Sequence, residues 1–254
     1  MQPISTTEKS LEIIKIFRKK LESMSIAENI AQVRANMAEA CRQAGRAPEE
    51  VTLVGASKMN DAAACREAIA AGIDALGENR VQEMTAKLAE NAYDGAPLHF
   101  IGHLQRNKVK QVVGKVALIQ SVGSIELLDE IEKVAAARDL VQDILLEVNI
   151  GGEEAKSGFA PGDVFAAAEH ALACPHVRVQ GLMTIPPADA DRETNMRYFQ
   201  EVRVLYVDIN AKLFHNELKC LSMGMSGDYT DAIACGATMV RVGTAIFGKR
   251  NYNI

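Results

Sequence analysis

Cysteine is scarce in this sequence, and no two cysteines form a CxxC pair. There are five, an odd number, scattered along the chain as Cys41, Cys65, Cys174, Cys220 and Cys235. A disulfide framework uses an even number of cysteines, and structural zinc sites commonly use closely spaced cysteine pairs. We therefore expect reduced thiols, a cytoplasmic protein and no metal site.

A surplus of basic residues and a long apolar run are also missing. The formal net charge is −5, which does not favour binding to the phosphate backbone of a nucleic acid. No apolar stretch approaches the roughly 20 residues of a membrane-spanning helix, and the N-terminus lacks the apolar region of a secretory signal. We expect a soluble protein, monomeric, with neither nucleic acid nor a membrane as partner.

The first 23 residues differ in pattern from the rest of the chain. Apolar residues at helical spacing from Leu11 to Leu21 alternate with basic ones, so a short amphipathic helix is expected there. Met24 then precedes Ser25, a typical N-cap residue, where another helix begins. We expect residues 1–23 to be an extension and residues 24–254 to be the domain. The alternative is that the extension is an extra surface helix.

From residue 26 onward, short apolar runs alternate with stretches of helical periodicity. This alternation is typical of βα units on a parallel sheet. Strands are predicted at Val51–Ser57, Ala75–Gly77, His99–Gly102, Ala117–Val122, Asp143–Asn149, Val179–Met183, Cys220–Ser222 and Met239–Val242. Helices are predicted at 26–44, 61–71, 80–90, 105–114, 124–138, 162–173, 191–214 and 228–235. The order and the length of the chain predict an α/β fold, a single (β/α)8 barrel of the TIM type with an extra N-terminal helix.

An open doubly wound sheet is the alternative architecture. It requires a glycine-rich phosphate turn after the first strand, and residues 57–60, Ser-Lys-Met-Asn, do not form one. The sequence also shows no linker rich in proline, glycine or serine, and no second domain after the eighth predicted strand. These absences favour the barrel.

Lys58 follows directly on the first predicted strand. In a parallel barrel the residues that follow the strands converge on one rim, where active sites lie. A lysine desolvated at such a rim has a lowered pKa, and its amine can form a Schiff base with a carbonyl compound. The alternative for Lys58 is a lysine that caps the strand and points to solvent.

Two turns rich in small residues follow the seventh and eighth predicted strands, at 222–228 and 241–244. Such turns let backbone N–H groups approach an anion. Together with Lys58 they point to a phosphorylated aldehyde, and pyridoxal 5′-phosphate fits this description. Its phosphate would be bound by Ser226, Gly243 and Thr244.

Arg241 lies at the end of the eighth predicted strand. If it points inward, its permanent charge would keep the ring nitrogen of the cofactor unprotonated and would weaken the cofactor as an electron sink. The alternative is an ion pair that faces outward or toward the phosphate.

Taken together, these motifs resemble the pyridoxal phosphate homeostasis protein family from about Ser25 to Lys249. The resemblance rests on segments 57–58, 77–79, 99–108, 156–159, 181–184, 222–226 and 241–248, which occur in the family's order and spacing. It implies a barrel similar to the N-terminal domain of alanine racemase, with the cofactor as a Schiff base on Lys58 and with Asn79 and Met183 lining its ring. It also implies no established catalytic activity, a role in balancing pyridoxal phosphate and amino-acid pools, and pyridoxal phosphate-dependent apoenzymes as partners.

The sequence departs from the family pattern in two places near Lys58. The family usually has threonine after its lysine and proline two residues later, whereas this chain has Met59, Asn60 and Asp61. Arg80 stands where an aromatic residue is common. Both departures concern the shape of the loop beside the cofactor.

Two enzymatic functions remain as alternatives. A pyridoxal phosphate-dependent amino-acid racemase would need an acid or base opposite the lysine, for which Tyr229 or His103 are the candidates. A Schiff-base aldolase without cofactor would use Lys58 with a carboxylate such as Glu78. The racemases of this fold class carry an additional β-domain, for which the sequence predicts no counterpart.

Overall fold

The computed structural model describes residues 24–153 and 156–248. Eight parallel strands close into a barrel in chain order. Strands β1 to β8 are Thr52–Ala56, Ala75–Glu78, Leu98–Phe100, Leu118–Val122, Gln142–Val148, Val177–Thr184, Cys220–Ser222 and Met239–Val242. Helices α1 to α9 of the described residues are Ile26–Gln43, Ala62–Ala70, Val81–Ala89, Val109–Val112, Ile125–Ala136, Val164–Leu172, Arg192–Leu213, Tyr229–Ala234 and Thr244–Phe247. The predicted (β/α)8 barrel is therefore confirmed.

The elements follow the predicted order with ends that differ by a few residues, the short helix α9 was not predicted, and one predicted helix is broken. The periodicity of residues 105–114 predicts one helix, but a 3-10 turn at Arg106–Lys108 precedes the single turn of α4. Gly114 adopts φ 74°, and a Cβ there would lie 2.7 Å from the side chain of Leu140. The chain therefore leaves the helix at a left-handed residue. The helix expected between Leu11 and Leu21 lies outside the described residues.

The barrel has an interior and an outer layer of packing. Inside it, Val54, Ala75, Leu118, Leu145, Met183 and Met239 form one apolar cluster. A much larger cluster fills the space between the outer faces of the strands and the surrounding helices. Because side chains alternate between the two faces of a strand, residues two positions apart point into the same layer. Within the described part of the chain, no helix combines the length and apolar character that crossing a membrane requires.

Helix α1 packs against the segments that follow β7 and β8. It begins with a capping box between Ser25 and Glu28, which satisfies backbone donors of the first turn. Asn29 donates to the backbone carbonyl of Ile246 at 2.8 Å, and Asn36 donates to the hydroxyl of Tyr229 at 2.9 Å. The helix before the barrel therefore fixes the two elements that follow the small-residue turns.

Candidate functional site

Lys58 lies in the turn after β1 and is half-buried. Met59 adopts a left-handed backbone conformation, with φ 61°. The Met59 N–H donates to Glu83 Oε2 at 2.8 Å, and the Asn60 side chain donates to the Lys58 carbonyl at 3.1 Å. These two hydrogen bonds fix the peptide group between Lys58 and Met59. The turn is therefore held although it lacks the residues that the family usually has there.

Asp61 and Arg80, the other departures from the family pattern, have evident contacts. Asp61 caps α2 by accepting from the Ala64 N–H at 2.8 Å. Arg80 is exposed and lies 3.8 Å from Glu83. The first departure stabilises the helix that follows the lysine turn, and the second adds a surface charge beside the rim.

A buried group of four residues fixes the residue before the lysine, and we refer to Ser57, Glu78, Lys87 and Tyr93 as the outer cluster. Glu78 Oε1 accepts from Ser57 Oγ at 2.6 Å, from Lys87 Nζ at 2.6 Å and from the Tyr93 hydroxyl at 3.0 Å. Lys87 also donates to the Ser57 carbonyl at 2.8 Å. Burial, followed by the charge of Glu78, raises the pKa of Tyr93.

The outer cluster fixes the segment that leads into the Lys58 turn. Ser57 points toward the helix layer, because its partner Lys87 lies on α3. Glu78 accepts from the Ser57 hydroxyl, and Lys87 donates to the Ser57 carbonyl. The turn that carries Lys58 therefore begins at a fixed residue.

A second buried polar group lies inside the barrel, and we refer to Arg241, Ser222, Gln120 and His99 as the inner polar chain. Arg241 donates to Ser222 Oγ, and Ser222 in turn donates to Gln120 Oε1 at 2.7 Å. Gln120 Nε2 lies 3.0 Å from His99 Nδ1. The amide is then the donor and His99 Nδ1 the acceptor, which requires a neutral imidazole with its proton on Nε2.

Arg241 points inward, toward the strand ends, and not into the helix layer. Its guanidinium also donates to the Thr184 carbonyl at 2.9 Å. Burial lowers the pKa of Arg241 to about 10, and the charges of Glu147 and Asp228 act in the opposite direction. The side chain therefore remains cationic at neutral pH. Burial lowers the pKa of His99 to about 4, in agreement with its neutral form.

The two small-residue turns meet at Ser226. Its Oγ accepts from the backbone N–H of Gly243 at 3.1 Å and from that of Ala245 at 3.4 Å. The Asp228 carboxylate holds the same loop by accepting from the Met225 N–H. Two backbone N–H groups of the β8 turn thus converge on the Ser226 hydroxyl, and convergent N–H groups are a feature of anion-binding turns.

The turn after β8 lies beside the end of β1. The two strands pair in register, with Gly55 opposite Val242. A Cβ on Gly243 would come within 3.4 Å of the Ala56 carbonyl. The convergent donors and the turn that carries Lys58 are therefore neighbours on one rim.

Asn79 follows β2 on the same rim, and its Oδ1 is buried with no hydrogen-bond partner among the residues described. Gly102 permits this packing, since a Cβ there would lie 2.3 Å from the Asn79 carbonyl oxygen. A buried acceptor of this kind requires a donor. Met183 is fully buried and belongs to the apolar cluster inside the barrel.

The structure brings the residues predicted from the sequence to one end of the barrel: Lys58, Asn79, Met183, Ser226, Arg241, Gly243 and Thr244. It also shows residues that the sequence reasoning missed. His99, Gln120 and Glu147 lie inside the barrel, and burial raises the pKa of Glu147. The only signal for them was a polar residue at an alternate position of an apolar strand.

Comparison with known proteins identifies the class of this barrel. The model of the family "Alanine racemase, N-terminal domain" matches residues 28–251. An alanine racemase from Clostridium difficile superposes with a TM-score of 0.65 at 15% identity, over 90% of this chain and 58% of that one. At this identity the likeness shows the fold alone.

Closer relatives define the family. A pyridoxal phosphate homeostasis protein from Aquifex aeolicus is 43% identical over 90% of this chain and all of its own length, and one from Pseudomonas aeruginosa is 42% identical over 90% and 97%. The structure of PipY from Synechococcus elongatus with PLP bound superposes with a TM-score of 0.77 at 33% identity, over 88% of this chain and 100% of that one. The chain belongs to the pyridoxal phosphate homeostasis protein family.

Proposed function

We propose that this protein binds pyridoxal 5′-phosphate as a Schiff base on Lys58 and serves in the homeostasis of that cofactor and in amino-acid balance, without turning over a substrate. The observation that carries the proposal is the placement of Lys58 beside the convergent backbone donors of the β8 turn. The names of the relatives and the PLP-bound PipY structure support the choice of cofactor.

The residues present fit the cofactor at three points. The N–H groups of Gly243 and Ala245, which converge on Ser226 Oγ, suit a phosphate, and Thr244 lies between them. The unpartnered Oδ1 of Asn79 can accept from a ligand donor. When bound, pyridoxal phosphate supplies an aldehyde that condenses with a primary amine, and Lys58 supplies the amine.

Arg241 limits what chemistry the site can support. Its guanidinium is held inside the barrel by Ser222 and Thr184 and stays charged. We infer that it lies near the ring nitrogen, where a fixed cation disfavours protonation of that nitrogen. An unprotonated ring withdraws electrons weakly, so Arg241 favours storage of the cofactor over carbanion chemistry.

Two of the three candidate acids and bases of the enzymatic alternatives, Tyr229 and Glu78, are held by other contacts. The Tyr229 hydroxyl accepts from Asn36 on α1, and His103 is exposed. Glu78, the carboxylate for an aldolase, is held in the outer cluster by Ser57, Lys87 and Tyr93. These contacts support a carrier. We infer that it acts in the cytoplasm as a monomer and supplies the cofactor to pyridoxal phosphate-dependent apoenzymes.

The test is peptide mass spectrometry after borohydride reduction of protein incubated with pyridoxal phosphate. We expect a phosphopyridoxyl group on Lys58 that is lost in Lys58→Ala and retained in Lys115→Ala, a control at an exposed lysine. An unmodified Lys58 in the wild type would refute the Schiff base. Incubation with single amino-acid enantiomers should then show no racemisation above a cofactor-only control.

A further inference from the structure

A cluster of three metal-ligating side chains lies on the outside of the barrel, away from Lys58. Asp129 is on α5, His170 is in the last turn of α6, and Cys174 lies just beyond the end of α6. One ligand atom of each residue lies within 4.8 Å of the others. Because helices run opposite to the strands in this fold, the end of α6 faces away from the rim that carries the candidate cofactor site.

The geometry of the cluster requires little adjustment to hold an ion. His170 Nε2 lies 2.7 Å from Asp129 Oδ1. His170 and Cys174 are four residues apart, a spacing that places side chains on one face of a helical turn. Zinc bonds of about 2.0–2.3 Å separate tetrahedral ligand atoms by roughly 3.5 Å. An ion would replace the hydrogen bond between the histidine and the carboxylate and would move these two ligand atoms apart by roughly an ångström. The Cys174 thiol, which now donates to the His170 carbonyl at 3.5 Å, would turn toward the ion.

The charges around the cluster favour a dication. Glu132 lies one turn after Asp129 on α5 and binds His176 at 2.8 Å. The carboxylates of Asp129 and Glu132 would stabilise a bound cation, which replaces the thiol proton of Cys174.

We propose that Asp129, His170 and Cys174 form a zinc-binding site that joins α5 to α6, with water as the fourth ligand. A nitrogen, a sulfur and a carboxylate oxygen suit a borderline-soft ion such as Zn²⁺, whereas Mg²⁺ and Ca²⁺ prefer oxygen ligands alone. On binding, the S–H bond of Cys174 breaks, its proton goes to solvent and a Zn–S bond forms, with no change in oxidation state. The proposed site differs from our sequence expectation of no metal, because its ligands come from α5, from the last turn of α6 and from a residue just beyond the end of α6, and not from a CxxC pair.

The test is titration of untagged, metal-free protein with Co²⁺, followed by absorption with the spectrum before addition subtracted. A cobalt ion bound by thiolate gives a charge-transfer band in the near ultraviolet, and Zn²⁺ should abolish this band by displacing the cobalt. We expect one ion per chain. Absence of saturable binding to the wild type would overturn the proposal.

Variants assign the ligands. Cys174→Ser should lose the charge-transfer band, and Cys220→Ser, a control at a cysteine outside the cluster, should keep it. Because Cys174 is buried, the exposed His170 provides a second test that leaves the core intact. His170→Ala should weaken Zn²⁺ binding at least tenfold, and Zn²⁺ should raise the Tm of the wild type but not of this variant. Equal Zn²⁺ affinity in His170→Ala and the wild type would refute the assignment.

Discussion

The inner polar chain and the outer cluster are both buried near the candidate cofactor site, but their hydrogen bonds are arranged differently. In the inner chain each residue links to the next, from Arg241 through Ser222 and Gln120 to His99. In the outer cluster three donors converge on one oxygen of Glu78. Removing one residue from the middle of the inner chain leaves both of its neighbours without a hydrogen-bond partner. The outer cluster can lose one donor while Glu78 keeps the other two.

The two arrangements also fix different parts of the site. The outer cluster holds the backbone of Ser57, the residue before Lys58, and it contains an ion pair between Glu78 and Lys87. The inner chain holds the Arg241 side chain, whose charge is opposed across the barrel by Glu147. Substitutions in the outer cluster should therefore lower the stability mainly by leaving a buried charge unpaired. Most substitutions in the inner chain should lower it by removing hydrogen bonds.

The largest effect is expected from Lys87→Met. The change leaves the carboxylate of Glu78, which is fully buried, without its cation. Breaking one side of a buried pair costs about 3–5 kcal/mol. The free energy of unfolding, measured in urea, should fall by this amount.

The double variant Glu78→Gln with Lys87→Met is the matched control for this loss. It removes both charges and keeps a polar group for Ser57 and Tyr93, so part of the lost stability should return. If the free energy of unfolding of Lys87→Met stayed within about 1 kcal/mol of the wild type, the ion pair between Glu78 and Lys87 would not be needed for stability.

The next effect is a pH dependence from His99 in the inner chain. Burial lowers its pKa from 6.5 to about 4. Between about pH 6.5 and 4 the unfolded chain therefore binds a proton at His99 and the folded state does not. The free energy of unfolding should fall as the pH drops through this range. By the lower end of this pH range, the shift should have lowered the free energy of unfolding by about 3 kcal/mol. Urea unfolding over this pH range measures the slope.

His99→Gln serves as the reference for that slope. The raised pKa of Glu147 acts in the opposite direction, because its folded state binds a proton more readily as the pH falls. The difference between the wild type and His99→Gln isolates the histidine. Parallel curves for the two proteins would mean that His99 does not titrate differently on unfolding.

Features that depend on local sequence patterns could be predicted from the sequence, whereas features that depend on contacts between distant residues could not. The strands β7 and β8 have the predicted bounds, because each is a short apolar run that ends at a glycine-containing turn. Lys58 and Ser226 were predicted because polar or small residues follow strands in order along the chain. Of the inner chain only Arg241 was predicted, because Gln120 sits within an apolar strand, and its inward direction depends on alternation and register.

The contacts of the outer cluster and those among Asp129, His170 and Cys174 could not be predicted for another reason. Glu78 and Lys87 lie on different elements, and nothing local marks them as a pair. Asp129 and His170 are separated by 41 residues. Contacts of this kind arise where helices pack on strands or on one another, so single-sequence periodicity predicts the helices but not which of their polar residues meet.

Gln120→Leu tests the dependence of the inner chain on each member. The change leaves the Ser222 hydroxyl and His99 Nδ1 without their partner at 2.7 and 3.0 Å. Unpaired buried groups cost about 1 kcal/mol or more each, so stability should fall by about 2–3 kcal/mol. The surface change Gln43→Leu should stay within about 0.5 kcal/mol in the same urea measurement. Equal losses in the two variants would contradict a linear chain.

The smallest effect is expected from Tyr93→Phe, and it contrasts the two arrangements most directly. Glu78 Oε1 would still accept from Ser57 and Lys87 at 2.6 Å, so the cost should be about 0.5–1 kcal/mol. Ser222→Ala removes a hydroxyl of similar bonding capacity from the inner chain, but it deprives the Arg241 guanidinium of an acceptor and Gln120 of a donor. It should cost about 2 kcal/mol or more, because a hydrogen bond to a charged group is lost along with a neutral one. If Tyr93→Phe proved the more destabilising of the two in urea unfolding, the convergence of donors on one oxygen would not protect the outer cluster against the loss of a donor. Glu78 would then depend on all three donors as strictly as the inner chain depends on each of its residues.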